Sequence, residues 1–424
     1  MKILWIVNMV LPDIADALNL KTNFSGGWLV DYSNRLSEDS DFELAIMTYA
    51  NVDNYIDKKV SNIRSFIFPG GGKMLLLTSN KTIKDCKKVI DEFKPDLIHL
   101  HGTEYSMAYS MLKVCGDIPV LLTIQGILTP ISQEYYGGLK FSQIIRMGTL
   151  KEYIRLKTQF CMKLLYSKNA KRERYVLRNV KYVPGRTDWD MSVMHAVNNK
   201  LTYFRHNYNL REEFYDADKW NVEDIEPFTI YAGASLYPLK GLHIVLDALK
   251  IVKEEYPQVK LIMPGIDEKT INSKMAKPYQ KYIVKKINDL GIRENVVFAG
   301  RKNATEIAKM LKKANVCIVS SAMEGASATI CEAMMIGTPC ICPYRGGMTE
   351  LLKDKESGFY YDFPEYSVLA TRIKQLFADR ELCNKFSENV IHDAEIRHDR
   401  KKNYFELKKL YQTIIDKEKF YVES

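Results

Sequence analysis

The sequence predicts an α/β protein made of two successive doubly wound parallel domains. Apolar runs of strand length alternate with helically spaced segments from one end to the other, the rhythm of repeated β-α-β units. That rhythm breaks once, between about Asn199 and Phe228, in the aromatic and charged "YFRHNYNLREEFYDADKWNVEDIEPF", and then restarts. At 424 residues and 46% hydrophobic content, the chain also exceeds what one ordinary core takes up.

The elements follow in order. "KILWIVNMV" reads as a first buried strand, "WLVDYSNRLSE" as a helix and "FELAIMTY" as the next strand. "TIKDCKKVIDEFK" is a helix, and "PDLIHLH", "IPVLLTIQG" and "NVKYVPG" are strands. After the break come strand "FTIYAG", helix "LHIVLDALKIVKEEY", strand "VKLIMPG", helix "YQKYIVKKINDLG", strand "NVVFAG" and helix "ATEIAKMLKKA". Strand "NVCIVSSA", helix "TICEAMMIG" and strand "PCICPY" complete the set. The expected division is 1–208, 209–395, and a tail 396–424. Its "NYFELKKLYQTIIDKEKF" has helical apolar spacing and is expected to pack back towards the first domain.

Composition narrows the class. No apolar run approaches the ~18–20 residues of a membrane span. The start resembles a signal peptide, but Pro12 and Asp13 cut the apolar run short. The eight cysteines form no C-x-x-C pair, and Cys340 with Cys342 makes only two ligands. A reduced, cytoplasmic protein is expected. The net charge of +9 is concentrated between Arg146 and Lys181, where basic residues such as Lys151, Arg155, Lys157, Lys163, Lys168, Lys171 and Arg172 face only Glu152 and Glu173. Leu156, Phe160, Leu164 and Tyr166 are interleaved. Such a region fits an anionic membrane surface, a phosphorylated acceptor or nucleic acid, or is a solvated helix face.

The stretch "SAMEGASATICEAMMIGTP", residues 321–339, is the most informative. It spans a strand's carboxyl end, a loop and a helix start, where open α/β sheets bind ligands. Gly325, Ala326, Ser327 and Ala328 leave room for backbone N–H groups to approach an anion at the positive end of a helix. Glu324, at the loop entry, can accept hydrogen bonds from hydroxyls. Glu332, one turn into the helix, can hold the two neighbouring hydroxyls of a ribose. Together they suggest a ligand with sugar, diphosphate and ribose in sequence. The alternative is one exposed loop acid and one acid stabilising a first turn.

"EGASATICEA" resembles the E-x7-E signature of retaining glycosyltransferases of family 4, which have the GT-B fold: two Rossmann-like domains facing a central cleft. "SGGWLVDYSNRLSE", "PDLIHLHG", "YAGASLYPLKGLHIVLDAL", "NVVFAGRKNATEIAKMLKKANVCIVSS" and "GTPCICPYRGGMTELLKDKESGFYY" are similar to further family segments in the same order. The resemblance implies transfer of a sugar from a nucleotide sugar to a saccharide or lipid-linked acceptor, in cell-surface polysaccharide synthesis. It implies no required metal or other cofactor and no nucleic-acid partner. Separately from the resemblance, the cysteine usage and the basic region give the expectation of a protein in the cytoplasm or peripheral on the inner face of the plasma membrane. Residue by residue, Glu332 would hold the ribose and Glu324 the transferred sugar, with the backbone from Gly325 to Thr329 along the sugar and diphosphate. Lys240 would neutralise the departing diphosphate. Gly26 and Gly27 would approach the diphosphate through their N–H groups.

Two positions depart from that pattern. An arginine is expected in the donor loop, where "GAS" has Ala234 and Ser235; Arg301 in "FAGRKN" is the candidate substitute, with Ser235 kept as a donor contact. A histidine is expected where "LLTIQG" has Gln125, which hydrogen-bonds but carries no proton at neutral pH. On the acceptor side, His101 and Gln125 are candidates, as is Arg186 in "VPGRTDWD", which otherwise pairs with Asp188 or Asp190. His99 reads as a core histidine. The D-x-D triplets at 39, 188 and 216 hold metals in another glycosyltransferase fold and read here as chance. An epimerase, a phosphorylase and a non-catalytic sugar-nucleotide-binding protein remain alternatives on the same fold.

Overall fold

The computed structural model describes residues 1–20, 27–71, 78–233, 236–273 and 276–423. The chain divides into two compact units. The first contains Met1–Thr129, Lys168–Asn209 and the chain from His398 onward. The second contains Pro130–Ser167 and Leu210–Arg397.

The first unit holds an eight-stranded sheet in the order β3-β4-β2-β1-β5-β6-β7-β8. The strands are β1 Lys2–Ile6, β2 Glu43–Ala50, β3 Ile56–Val60, β4 Ile63–Pro69, β5 Leu97–His101, β6 Val120–Thr123, β7 Tyr182–Gly185 and β8 Thr202–Arg205. All neighbours are parallel except β3 and β4. The central strand β1 is buried on both faces, which is why it reads as one unbroken apolar run. β3, "IDKKV", is an exposed, charged edge, and β8 at the opposite edge is half-buried. Charged and half-exposed edges blunt unwanted pairing and carry little apolar signal. These two strands, together with β4, are additions to the expected set.

The second unit holds a six-stranded parallel sheet in the order β11-β10-β9-β12-β13-β14. Its strands are β9 Thr229–Ala232, β10 Lys260–Pro264, β11 Val296–Gly300, β12 Val316–Ile318, β13 Cys340–Pro343 and β14 Phe359–Tyr361. Both sheets are Rossmann-like, and the fold is GT-B-like.

The tail belongs to the first unit. The helix Arg400–Glu423 buries Leu407, Leu410, Tyr411 and Ile414 against the β1 side of that unit's core. The Tyr411 hydroxyl accepts from Trp5 Nε1 at 3.0 Å and lies 2.7 Å from His99 Nδ1. The expected boundary at residue 208 needs one correction, because residues 130–167 pack with the second unit. Leu139 and Ile144 sit in that unit's core, and His243 Nε2 meets the Gly137 carbonyl at 2.9 Å. Among the described residues, no helix is long and apolar enough to cross a membrane.

Candidate functional site

The site in the second unit begins where β12 ends. Ser327 caps the helix Ala328–Ile336 by accepting from the Ile330 N–H, and Gly337 closes the helix in the left-handed conformation at φ 95°. The first N–H groups of that helix have no partner one turn back, so they form a positive end facing the loop. Glu324 stands in the loop just ahead. Its carbonyl accepts from the Gly347 N–H at 3.0 Å. Gly346 permits this approach, since a Cβ there would lie 2.2 Å from the same oxygen.

Lys240 arrives from a different loop. Pro238–Lys240 form a short 3-10 turn, and Gly241 follows at φ 63° with the helix Leu242–Glu255 behind it. A Cβ on Gly241 would fall 1.9 Å from the Ser320 carbonyl, so only glycine fits. The Ser320 hydroxyl donates to the Lys240 carbonyl at 2.8 Å, and the Ala322 N–H donates to the Leu239 carbonyl at 2.7 Å. These bonds join the two loops and bring Lys240 Nζ to 2.5 Å from Glu324 Oε2. Burial pulls the Lys240 ammonium down, but the Glu324 carboxylate outweighs it and holds the lysine above its ordinary value.

Lys240 and Glu324 line a pocket of about 250 Å3 with Arg301, Lys302, Ser327 and Thr329, floored by Tyr231 and Gly233. A Cβ on Gly233 would come 2.9 Å from Thr329 Cγ2, so strand end and helix start are in close contact. Of the donor-side candidates, Lys240, Arg301, Glu324, Ser327 and Thr329 are therefore brought together. Gly325, Ala326 and Ala328 lie on the same loop and helix start without lining the pocket. Glu332 is also outside the lining; its Oε1 accepts from Arg211 Nε at 3.0 Å and Nη2 at 2.7 Å. Burial pushes the Glu332 carboxyl above the usual carboxylate value, Arg211 opposes that, and Glu213 adds to it. Ala234, Ser235 and Gly26 lie outside the described residues.

The remaining candidates belong to the first unit. Gly27 opens the helix Gly27–Glu38. His101, Gln125 and Arg186 all lie at the carboxyl ends of the adjacent strands β5, β6 and β7. His101 is 4% exposed, packed on Trp5 and Trp28, and burial pulls its pKa down to about 3. Neither of its ring nitrogens has a hydrogen-bond partner among the described residues. His99 is a satisfied core histidine between Tyr411 and Thr123. Arg186 does not pair with Asp188 or Asp190 through its side chain: its guanidinium lies 4.6 Å over the Tyr208 ring, and only its backbone N–H reaches Asp190.

Three further sequence features are placed by the structure. Asp39 is held by Tyr404 and Lys408, Asp190 by the Tyr203 hydroxyl, and Asp218 by Lys312. One aspartate of each D-x-D triplet thus has a partner within the chain. The basic run from Arg146 to Lys181 is not one face, because Arg172 donates to the Glu104 carbonyl and Glu173 is buried as an acceptor for Thr103, Leu128 and Thr129. Residues that sequence reasoning missed are Arg211, Lys302 and the Gly137–His243 contact. The glycine pair in "YYGGL" was the one local signal for the last of these.

Residues 215–393 match the family model of glycosyl transferases group 1. Over 174 residues the chain is 29% identical to the putative glycosyltransferase YtcC of Bacillus subtilis, covering 41% of each protein. The chain spans less than half the length of the first two curated relatives it matches, 41% and 47%. Among solved structures, a sucrose-phosphate synthase from Thermosynechococcus elongatus superposes with TM-score 0.73 at 14% identity, over 98% of this chain and 99% of that one. Anabaena HepE in complex with UDP and glucose superposes with TM-score 0.68 at 17% identity, over 97% and 100%. The first curated relatives are thus named as putative glycosyltransferases, and the structural neighbours share the fold.

Proposed function

We propose that the chain is a retaining glycosyltransferase of the family-4 type, moving a hexosyl-type sugar from a nucleotide sugar to a saccharide or lipid-linked acceptor. The pocket carries this reading: Lys240 and Glu324 meet beside a helix start, with Arg301 alongside, inside the stretch that matches group 1. Lys240 and Arg301 supply positive charge for a diphosphate, and the first helix N–H groups add to it. Glu324 accepts from hydroxyls of the transferred sugar, and Glu332 from the ribose. The acceptor-side roles fall to His101, Gln125 and Arg186.

In the proposed reaction the bond between the sugar's anomeric carbon and the phosphate oxygen breaks, and its electron pair leaves with the diphosphate. The acceptor hydroxyl bonds to the same carbon on the same face. Its proton passes to the departing phosphate oxygen, so no side-chain base is consumed and no metal is required. Acceptors from cell-surface polysaccharides are the first to test.

The experiment is a panel of nucleotide sugars incubated without acceptor, with UDP-sugars first because HepE was captured with UDP. The expected result is slow release of nucleoside diphosphate and sugar from one donor, with the anomeric configuration retained at first. Binding without release would point to a non-catalytic role, and interconversion of the donor sugar to an epimerase. A panel in which no donor binds or reacts overturns the reading.

A further inference from the structure

The excursion at residues 141–164 has two apolar sides. The helices Phe141–Met147 and Leu150–Ile154 lead into the helix Gln159–Asn179. They turn tightly at Gly148, where a Cβ would lie 2.8 Å from both Thr158 and Tyr153. On the inner side, Ile144 is buried in the second unit's core, with Met147 and Phe160 packed against it. An amphipathic helical segment anchored this way ordinarily turns polar side chains outward.

Here the outer side is apolar as well. Leu150 is 79% exposed, Ile154 75% and Leu156 67%, and Phe141, Ile145 and Leu164 are also exposed. These are six of the eleven exposed large apolar side chains among the described residues, within 24 positions. Leu156 sits at φ 51°, a left-handed conformation that leucine rarely adopts, with its side chain in solvent. Scattered exposed leucines need no explanation, but a cluster marks a contact surface.

The charge around this cluster selects the partner. Arg146, Lys151, Arg155 and Lys157 are interleaved with the apolar residues and are exposed. None of the four has an ion-pair partner among the described residues. Glu152 is the single acid between Lys140 and Leu164, and it faces inward, capping Thr149 and pairing with Lys281 at 3.6 Å. Short apolar side chains with flexible basic ones between them match a bilayer interface, where the chains enter the acyl boundary and the cations stay with the headgroups.

We propose that this outer face docks on an anionic lipid bilayer, making the protein peripheral to a membrane such as the inner leaflet of the plasma membrane. The proposal is independent of the sugar-transfer reading. It narrows the surface expected from the sequence to 141–164, since Arg172 and Glu173 are committed inside the first unit.

The test is co-sedimentation of the full chain with vesicles of mixed phosphatidylglycerol and phosphatidylcholine, against phosphatidylcholine alone. Binding is expected to the anionic vesicles and to fall as salt rises. Replacing Lys151, Arg155 and Lys157 together by glutamine should lower the partition coefficient about a hundredfold at low salt. Leu150→Ser with Ile154→Ser should lower it while leaving the salt slope unchanged. All five substituted positions are exposed, and an unchanged urea midpoint confirms the fold of each variant. Equal binding to both vesicle types, or none to either, overturns the proposal. So does a dimer in sedimentation velocity that Leu150→Asp dissociates, which would assign the face to a second copy of the chain.

Discussion

Arg211 places two guanidinium nitrogens on one oxygen of Glu332, across 121 positions of sequence. The pair is largely buried, with the arginine side chain 19% and the glutamate 13% exposed. Burial alone favours a protonated Glu332, and Arg211 is the nearby charge that keeps the carboxylate form accessible.

If that carboxylate holds the donor's ribose, Glu332→Gln should weaken nucleotide binding by about 1–2 kcal/mol. Arg211→Met should weaken it too, and the double variant should lose no more than the larger single loss, because the two act on one contact. The pH sign follows from the raised pKa. As pH falls, Glu332 takes up a proton earlier than an ordinary carboxyl, so affinity should decline at a higher pH than for an unperturbed glutamate. Calorimetry with UDP reads all of this. Loss in Glu332→Gln but not in Arg211→Met would remove Arg211 alone, whereas wild-type affinity in both would remove Glu332 from the donor site.

Lys240→Met tests the other ion pair. A preorganised cation at a departing diphosphate acts mainly as charge develops, so turnover should fall by about 10²–10³-fold. Donor affinity should change far less. Equal losses in kcat/KM and in affinity, with kcat preserved, would make Lys240 a ground-state contact only.

With Lys240, Arg301 and helix N–H groups supplying the charge, turnover should be unchanged in EDTA. Activity lost to the chelator and restored by magnesium or manganese would show that a metal shares that task, and would direct attention back to the acidic triplets despite their internal partners.

The Tyr411 hydroxyl serves Trp5 and His99 together inside the first unit. Tyr411→Phe keeps the packing and strands a buried indole N–H and a ring nitrogen, at a cost of about 1–3 kcal/mol for each group left unsatisfied. The urea midpoint should drop while the slope stays constant. An unchanged midpoint would mean that water takes over both contacts.

What could be read from the sequence follows from where the signal is local. Strands such as β1 and β12, buried on both faces, announce themselves as apolar runs, and Ser327 and Gly337 mark their helix ends by residue type. Lys240 and Glu324 were each recognisable within their own segments. Their ion pair was not, because it depends on backbone bonds joining loops 84 positions apart. Arg211 lay in a segment with no periodicity, so nothing local distinguished it from any surface arginine. The edge strands β3 and β8 lack apolar patterning. Residues 130–167 belong to the second unit through Ile144 and Gly137, a long-range choice that helical spacing does not encode.

Gln125 stands at the carboxyl end of β6, where the family resemblance expects histidine. Its backbone carbonyl is 3.4 Å from Arg186 Nη2, and the next N–H, from Gly126, donates to Glu104 Oε1 at 3.1 Å. The segment is thus fixed on both sides of a half-buried amide. An amide orients a hydroxyl, or stabilises developing positive charge through its carbonyl oxygen, but it takes no proton in the accessible pH range. Two results are expected if Gln125 touches the transferred sugar. The rate profile should show no ionisation near pH 6–7 assignable to this position, and Gln125→His should introduce one. Gln125→Ala should lower kcat more than it lowers donor affinity, because the contact matters most as the sugar–phosphate bond breaks. Full turnover in Gln125→Ala would remove this residue from the reaction and, with it, the correspondence drawn between β6 and the family's histidine-bearing strand.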